Sequence, residues 1–231
     1  MLRGLPALAL CALPVLAAPA AHSAPAATAA PTAAGVAGPS GVRAAVRGDR
    51  PAPRGCRAPR GLQAGPVQAL EPRADATDGC DTRREVILSE AIEAPQVAAG
   101  CKMSGGSWLS PYDDVTVTDA AALDVDHFVP LAEVHDSGGF VWDAARREAY
   151  ANDQASPLTL IAVTAKSNRS KADKDPAQWL PPAGGYHCEY LAQWTATKLR
   201  WNLSADDAER QALVGVAEDC PNTTVVYESA S

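Results

Sequence analysis

The chain has 231 residues, of which 47% are hydrophobic and 20% are charged, with a formal net charge of −7. Segment 78–220 carries 12 basic against 23 acidic residues, a net charge of −11, whereas segment 25–77 has 7 basic and 3 acidic residues. This balance argues against a protein that holds nucleic acid by general electrostatics alone, which would need a basic folded part.

The N-terminus has the pattern of a secretory signal peptide over residues 1–24. A short basic start ends at Arg3, and the stretch from Leu5 to Ala18 is almost wholly apolar. Small residues follow around Ser23, where a signal peptidase can cut. The apolar stretch is short for a membrane span, and no later run reaches spanning length. We therefore predict an exported protein, secreted and extracellular, without a membrane anchor once the signal is removed.

Residues 25–77 form a segment rich in Ala, Pro, Gly and Arg that contains no aromatic residue. Such a composition cannot bury enough apolar surface to offset its conformational entropy, so a disordered linker is expected. The sequence then predicts a single folded domain over residues 78–220, followed by a C-terminal tail over 221–231.

Five cysteines remain after the signal peptide, and export makes disulfides plausible. The economical pairing joins Cys80 with Cys101 and Cys188 with Cys220, one bridge near each end of the domain. Cys56 is then left over in the linker, free or paired with another chain. A zinc site is a weaker alternative, since no two cysteines have Cys-x-x-Cys spacing.

The first half of the domain combines a short helix with turns and strands. Asp81 can cap a helix that begins at Thr82. The stretch from Cys101 to Asp119 is rich in turn residues and ends in an alternating strand at 115–117. Residues 123–126 read as the first strand of the core, and its two carboxylates, Asp124 and Asp126, share one face because they lie two residues apart.

The second half supplies a strand and then mainly helices. Asp143 is expected to cap a helix over 144–151, residues 158–163 form a second core strand, and 165–174 form a short basic helix. The order strand, turn, strand, helix defines a ββα unit. Two further helices are expected over 189–201 and up to about Glu218, the latter capped by Ser204.

Two short motifs in this unit carry chemistry. Asp126 and His127 end the first strand, and Asn168 lies on the basic helix. A carboxylate and an amide carbonyl are hard oxygen ligands for a divalent metal, and an adjacent imidazole can take a proton from water. Phosphodiester hydrolysis requires this combination. We therefore predict His127 and Asn168 as catalytic residues, with Asp126 and Asn168 as metal ligands.

The same residues resemble the HNH, or ββα-metal, endonuclease family. The opening signature of the family is matched by Asp-His-Phe-Val-Pro-Leu at 126–131, and its closing signature by Asn-Arg-Ser-Lys at 168–171. The longer string 168–176, with Trp-Leu-Pro at 179–181, is similar to the branch typified by the C-terminal nuclease domain of the GmrSD restriction enzymes. Secreted members of that branch also resemble the chain at 80–83 and at 110–112.

The resemblance implies an α+β fold with a ββα-metal core, flanking helices and disulfide staples, and metal-assisted cutting of DNA. His127 would be the base, and Asp126 and Asn168 would lie at the metal. The family's middle Asn is replaced by Thr159, whose hydroxyl is expected to hold the catalytic loop in its place. Roles in supporting the metal ligands (second shell) or in binding substrate are expected for Asp124, Glu133, Thr159, Arg169 and Lys171. Arg83 and Arg84 fit salt-bridged surface positions, and a contact to substrate is the alternative for both.

Several alternatives stay open at this point. The metal is Mg²⁺ or Mn²⁺ by ligand type, although the nearby imidazole also suits Zn²⁺ or Ni²⁺. The same chemistry could serve an effector or toxin. A different class of protein, a disulfide-stapled binding module that has lost catalysis, is favoured by Thr159 and by the acidic surface. DNA is the preferred substrate, and RNA is not excluded by the sequence.

Overall fold

A computed structural model describes residues 79–230 of the chain. The predicted signal peptide at 1–24, the predicted linker at 25–77 and Cys56 lie outside the described residues. Within 79–230, no helix combines the length and apolar character needed to cross a bilayer. The described part is a mixed α+β structure with small sheets, six α-helices and two disulfides.

The helices and strands follow one another in a mixed order. The α-helices are α1 (Thr82–Ser89), α2 (Leu131–Asp136), α3 (Ala144–Ala151), α4 (Ala165–Lys171), α5 (His187–Arg200) and α6 (Asp207–Glu218). The strands are β1 (Gln96–Ala98), β2 (Lys102–Ser104), β3 (Trp108–Ser110), β4 (Val115–Val117), β5 (Leu123–His127) and β6 (Leu160–Thr164).

The strands pair into three two-stranded antiparallel sheets, β1–β2, β3–β4 and β5–β6. In the third sheet Leu123 lies opposite Thr164 and His127 opposite Leu160. Helix α4 follows β6 directly and packs against both strands of this sheet. The predicted strand at 115–117 is confirmed, but β1, β2 and β3 were missed, since each has only three residues and lies among turn residues.

Local capping chemistry explains where several helices begin. Asp81 accepts a hydrogen bond from the N–H of Arg84, and Asp143 caps α3 at the predicted residue. The expected cap of the last helix was wrong. Asp206 accepts from the N–H of Glu209, whereas the Ser204 hydroxyl donates to the carbonyl of Ser137. Ser204 is therefore not a cap; it connects the segment before α6 to the residue that follows α2.

Two apolar clusters flank the β5–β6 sheet. The larger cluster joins one face of the sheet to α5, α6 and their neighbours, and its largest buried side chains are Tyr112, Phe128, Tyr150, Tyr190 and Trp194. The smaller cluster lies toward α1 on the other face, with Ile87, Trp108, Val117, Leu123 and Ala162. The sheet that carries the predicted chemistry is thus held from both sides.

Two disulfides hold the ends of the domain, in the predicted pairing. Cys80 is bonded to Cys101 and Cys188 to Cys220, with Cα–Cα distances of 5.0 and 5.5 Å. The segment after Cys220, expected to be a tail, packs onto the domain as far as it is described. Val225 is buried, and the N–H of Ala230 donates to the carbonyl of Arg200.

Side chains from distant segments occupy the outer edge of β6. The N–H of Ala162 donates to Glu90 Oε2 at 2.9 Å, and the N–H of Thr164 donates to Ser110 Oγ at 3.0 Å. Burial raises the pKa of Glu90 to about 7, and the hydrogen bond from Ala162 offsets only part of that shift.

The raised pKa of Glu90 predicts a pH-dependent stability. The pKa of Glu90 in the folded protein exceeds its ordinary value of 4.5, so protonated Glu90 contributes to the free energy of unfolding. This contribution is complete below pH 4.5 and is lost as the pH rises through 7. Glu90→Gln keeps an acceptor for Ala162 but does not titrate. Its stability relative to the wild type should rise between pH 4.5 and 8 by at most about 3 kcal/mol. Urea unfolding at both pH values measures this change. Glu218→Gln, at an exposed glutamate, is the control, and a pH-independent difference for Glu90→Gln would contradict the prediction.

Candidate active site

The hydrogen-bond pattern of the β5–β6 sheet determines which groups of β5 point outward. The N–H of Phe128 donates to the carbonyl of Thr159 at 2.9 Å, so this pair is hydrogen-bonded across the sheet. Hydrogen-bonded and non-hydrogen-bonded pairs alternate in an antiparallel ladder. The backbone groups of Leu123, Val125 and His127 therefore point away from β6, along the outer edge of β5.

Asp124 and Asp126 share one face of β5, as their spacing in the sequence predicted, and this face is turned to helix α4. The Asn168 amide donates to Asp124 Oδ2 at 3.3 Å, and Lys171 Nζ donates to Asp126 Oδ2 at 2.6 Å. Lys171 Nζ also donates to the carbonyl of His127 at 2.9 Å. Asn168 and Lys171, three residues apart on one face of the helix, thus contact Asp124 and Asp126, two residues apart on one face of the strand.

Lys171 is 0% exposed, and Asp126 is 6% exposed. Burial lowers the pKa of Lys171, while the charge of Asp126 and its hydrogen bond act in the opposite direction. The ammonium group of Lys171 donates its hydrogen bonds to protein acceptors and does not face solvent. Of the two roles expected for Lys171, the geometry supports positioning of Asp126 and not contact with substrate.

Tyr112 is a site residue to which the sequence gave no role. Its hydroxyl donates to Asp126 Oδ2 at 2.8 Å, and its ring is fully buried between Phe128, Trp179 and Tyr190. Burial, followed by the charge of Asp126, raises the pKa of Tyr112 well above its usual value. The carboxylate thus receives two buried donors on Oδ2, which fix its orientation. The resemblance at 110–112 was the only signal that marked this residue.

Asp113, next to Tyr112, holds the beginning of helix α4. Its carboxylate accepts hydrogen bonds from Ser110, Thr164 and Ser167 at 2.6 to 2.8 Å. Burial opposes ionisation of Asp113, but these hydroxyl donors outweigh it and lower the pKa. The segment 110–113 therefore fixes both the helix that carries Asn168 and the carboxylate of Asp126.

His127 points to the opposite face of the sheet from Asp126. Its Nε2 lies 3.0 Å from the carbonyl of Ala151, and its ring stacks on Tyr150 with centroids 5.8 Å apart. Because a carbonyl can only accept, Nε2 carries the proton and Nδ1 keeps a lone pair. Burial lowers the pKa of the imidazole, and the charge of Lys171 lowers it further. The hydrogen bond with Ala151 and the charge of Asp126 act in the opposite direction and offset only part of this shift. The neutral ring is a proton acceptor.

Thr159 is fully buried, and its two polar groups have separate partners. The backbone carbonyl accepts from Phe128, while the hydroxyl donates to Asp153 Oδ2 at 2.7 Å. Asp153 is in turn bound by Arg200 at 2.7 and 2.9 Å. The main chain of Thr159 thus holds the residue after His127, and the hydroxyl joins a buried ion pair away from the loop.

Glu133 and Arg169 do not converge on these residues. Glu133 Oε1 accepts from Lys198 Nζ at 2.7 Å, and the same ammonium binds Glu209, Ser137 and the carbonyl of Ser204. Burial raises the pKa of Glu209 to about 7, against the charge of Lys198. Arg169 is exposed on α4. Glu133 therefore ties α2 to α5 and α6, and no contact connects it to Asp126.

An open depression of about 250 Å³ brings the remaining candidates together. Its lining comes from the end of β5, the beginning of α2 and the end of α4: Val125, Asp126, His127, Pro130, Leu131, Ala132, Asn168, Ala172 and Asp173. A carboxylate, an imidazole and a carboxamide thus share one cleft.

A strand pair, a helix packed on it and an Asp, a His and an Asn that line one cleft make up the candidate site. The model of the family "GmrSD restriction endonucleases, C-terminal domain" matches residues 75–216, and the chain belongs to this family. A protein from Arthroderma benhamiae described as an uncharacterized secreted protein is 37% identical over 162 residues, covering 70% of this chain and 79% of its own length. No solved structure matches.

Proposed function

We propose that the protein is a secreted, metal-dependent endonuclease that hydrolyses phosphodiester bonds in DNA, with β5, β6 and α4 as a ββα-metal core. One observation carries the proposal: His127, with its proton placed on Nε2 by Ala151, shares a cleft with Asp126 and Asn168. The family match supports nuclease chemistry, and the disulfides and the description of the relative support export.

The residues present fit a divalent metal with oxygen ligands. Asp126 Oδ2 is taken by Lys171 and Tyr112, but no described residue hydrogen-bonds its Oδ1. The side-chain amide nitrogen of Asn168 donates to Asp124. The side-chain carbonyl oxygen of Asn168 is therefore left without a hydrogen-bond partner among residues 79–230. No three His, Cys, Asp or Glu side chains are grouped to hold a metal in that range. Mg²⁺ or Mn²⁺, which keep several waters, suit this sparse ligand set better than Zn²⁺ or Ni²⁺.

The chain's own residues would divide the work of hydrolysis as follows. His127 Nδ1 takes the proton of the attacking water. Lys171 and Tyr112 hold the Asp126 carboxylate in its orientation, and Asp124 orients the Asn168 side-chain amide. The metal, when bound, supplies charge relief for the phosphate and for the departing oxygen.

Cleavage of supercoiled plasmid by the mature protein tests the proposal. We expect nicking and linearisation with Mg²⁺ or Mn²⁺, no cutting with EDTA, and recovery when metal is returned in excess. Parallel incubations with single-stranded DNA and RNA define the substrate class. Absence of cutting on every substrate with every metal, by a protein shown to be folded, would overturn the enzymatic proposal.

A binding module without catalysis is the second candidate, favoured by Thr159 in place of the family's Asn and by the net charge of −11 over 78–220. Isothermal calorimetry with Mn²⁺ separates the two candidates. An endonuclease should bind the metal at one site that Asp126→Asn weakens strongly, whereas a silent module should give no heat that depends on Asp126.

A further inference from the structure

Arg83 lies beside the outer edge of β5, on the first turn of α1. Its Nη2 donates to the carbonyl of Leu123 at 2.6 Å, one residue before Asp124. The carbonyl of Leu123 points away from β6, as does that of His127, which accepts a hydrogen bond from Lys171. The two cations therefore bracket Val125, which lines the depression.

The charge of Arg83 has no counterion within the described residues. Its neighbour Arg84 is paired with Asp81 at 2.8 Å, and the buried cations Lys171 and Arg200 are paired with Asp126 and Asp153. Arg83 is half-buried and contacts a neutral carbonyl. A guanidinium has five N–H donors, so most of its donors are still available.

Helix stability gives no reason for a cation at this position. The N-terminus of a helix carries a partial positive charge, and a cation in its first turn is unfavourable. Asp81 compensates Arg84, but Arg83 points instead to the strand edge. A cation that has no counterion among the described residues can pair with an anionic ligand.

The helix that carries Arg83 is anchored on several sides. The Cys80–Cys101 disulfide precedes it, Asp81 caps it, and the Thr82 hydroxyl donates to Asn152 Oδ1 at 2.8 Å. The guanidinium is therefore preorganised, so binding an anion costs little ordering entropy.

We infer that Arg83 binds a backbone phosphate of the nucleic acid other than the scissile one, because the carbonyl that Arg83 contacts belongs to Leu123, about 13 Å from His127 along β5. The inference rests on the proposed function. Because the domain is strongly acidic, the strand needs local cations to approach, and a guanidinium can grip a phosphate with two parallel hydrogen bonds. Arg83 would then set the path of the substrate along the strand edge toward the depression.

The test compares Arg83→Gln with Arg84→Gln in the full mature protein, each combined with His127→Ala to prevent cutting. Fluorescence anisotropy with a labelled DNA duplex, repeated over a series of KCl concentrations, gives the affinity and its salt slope. Glutamine keeps a polar side chain with N–H donors at this position, and thermal melting verifies that the fold is preserved.

Arg83→Gln should weaken binding about 3- to 10-fold and reduce the salt slope by about 0.9, the value for one lost phosphate contact on duplex DNA. Arg84→Gln should leave the slope unchanged, and Arg83→Lys should restore it. A purely structural role for Arg83 would not change the slope.

The outcomes separate the inference from the proposed function. An unchanged slope in Arg83→Gln, in a protein whose wild type cuts DNA, overturns the inference alone. A wild type that neither cuts nor binds DNA or RNA overturns the proposed function and the inference together.

Discussion

Replacing His127 with alanine should slow DNA cleavage about 10²- to 10⁴-fold, the usual contribution of a general base. Among the described side chains that line the depression, only the imidazole of His127 has a lone pair on a nitrogen. The hydrogen bond between its Nε2 and Ala151 fixes the orientation of the ring. Without it, water must lose its proton to solvent. Single-turnover cleavage with saturating metal measures the chemical step directly.

His187 offers a matched control for this change. It is also half-buried, and its Nε2 lies 2.8 Å from a backbone carbonyl, that of Pro181, but it does not line the depression. His187→Ala should therefore lose a comparable hydrogen bond and keep the wild-type cleavage rate. Calorimetry should show that His127→Ala still binds Mn²⁺. If His127→Ala cuts at the wild-type rate, His127 is not the base.

Lys171→Met should destabilise the fold by about 3 to 5 kcal/mol, because it leaves Asp126 buried without its counterion. The pair is 2.6 Å apart, and both side chains are almost completely removed from solvent. The Tyr112 hydroxyl alone cannot replace a full positive charge. Urea unfolding followed by tryptophan fluorescence measures the loss.

A double-mutant cycle distinguishes this pair from general loss of packing. Asp126→Asn with Lys171→Met removes both charges, and it should be more stable than Lys171→Met alone. Arg210→Met breaks an exposed pair with Asp207 and should cost less than about 1 kcal/mol. If the double variant loses the sum of both single changes, the two charges are not coupled.

The sequence predicted which polar residues share the cleft better than it predicted the side chains that hold them in place. Asp126, His127 and Asn168 lie next to strong local signals, namely a β-branched strand, a proline and a capped basic helix. The alternation of side chains along a strand was enough to predict that Asp124 and Asp126 share one face. The helix over 144–151 was predicted to the residue because Asp143 is a strong cap.

Partners distant in sequence could not be predicted. Tyr112 reaches Asp126 across 14 residues, and Lys198 draws Glu133 away from the depression across 65 residues. The sequence did not decide whether Lys171 supports the site or contacts substrate, because the helical pattern does not reveal which face is buried. Ser204 had the spacing of a cap, but the tertiary contact with Ser137 prevailed.

The side chains at the rim of the β5–β6 sheet also have a consequence for self-association. A two-stranded sheet has open edges that can recruit a strand from another molecule, the route to domain swapping and fibrils. Glu90 and Ser110 already occupy two outward amides of β6, and Arg83 and Lys171 occupy two carbonyls of β5. The groups that orient the site therefore also protect the molecule against edge-to-edge aggregation, without adding any strand to the sheet.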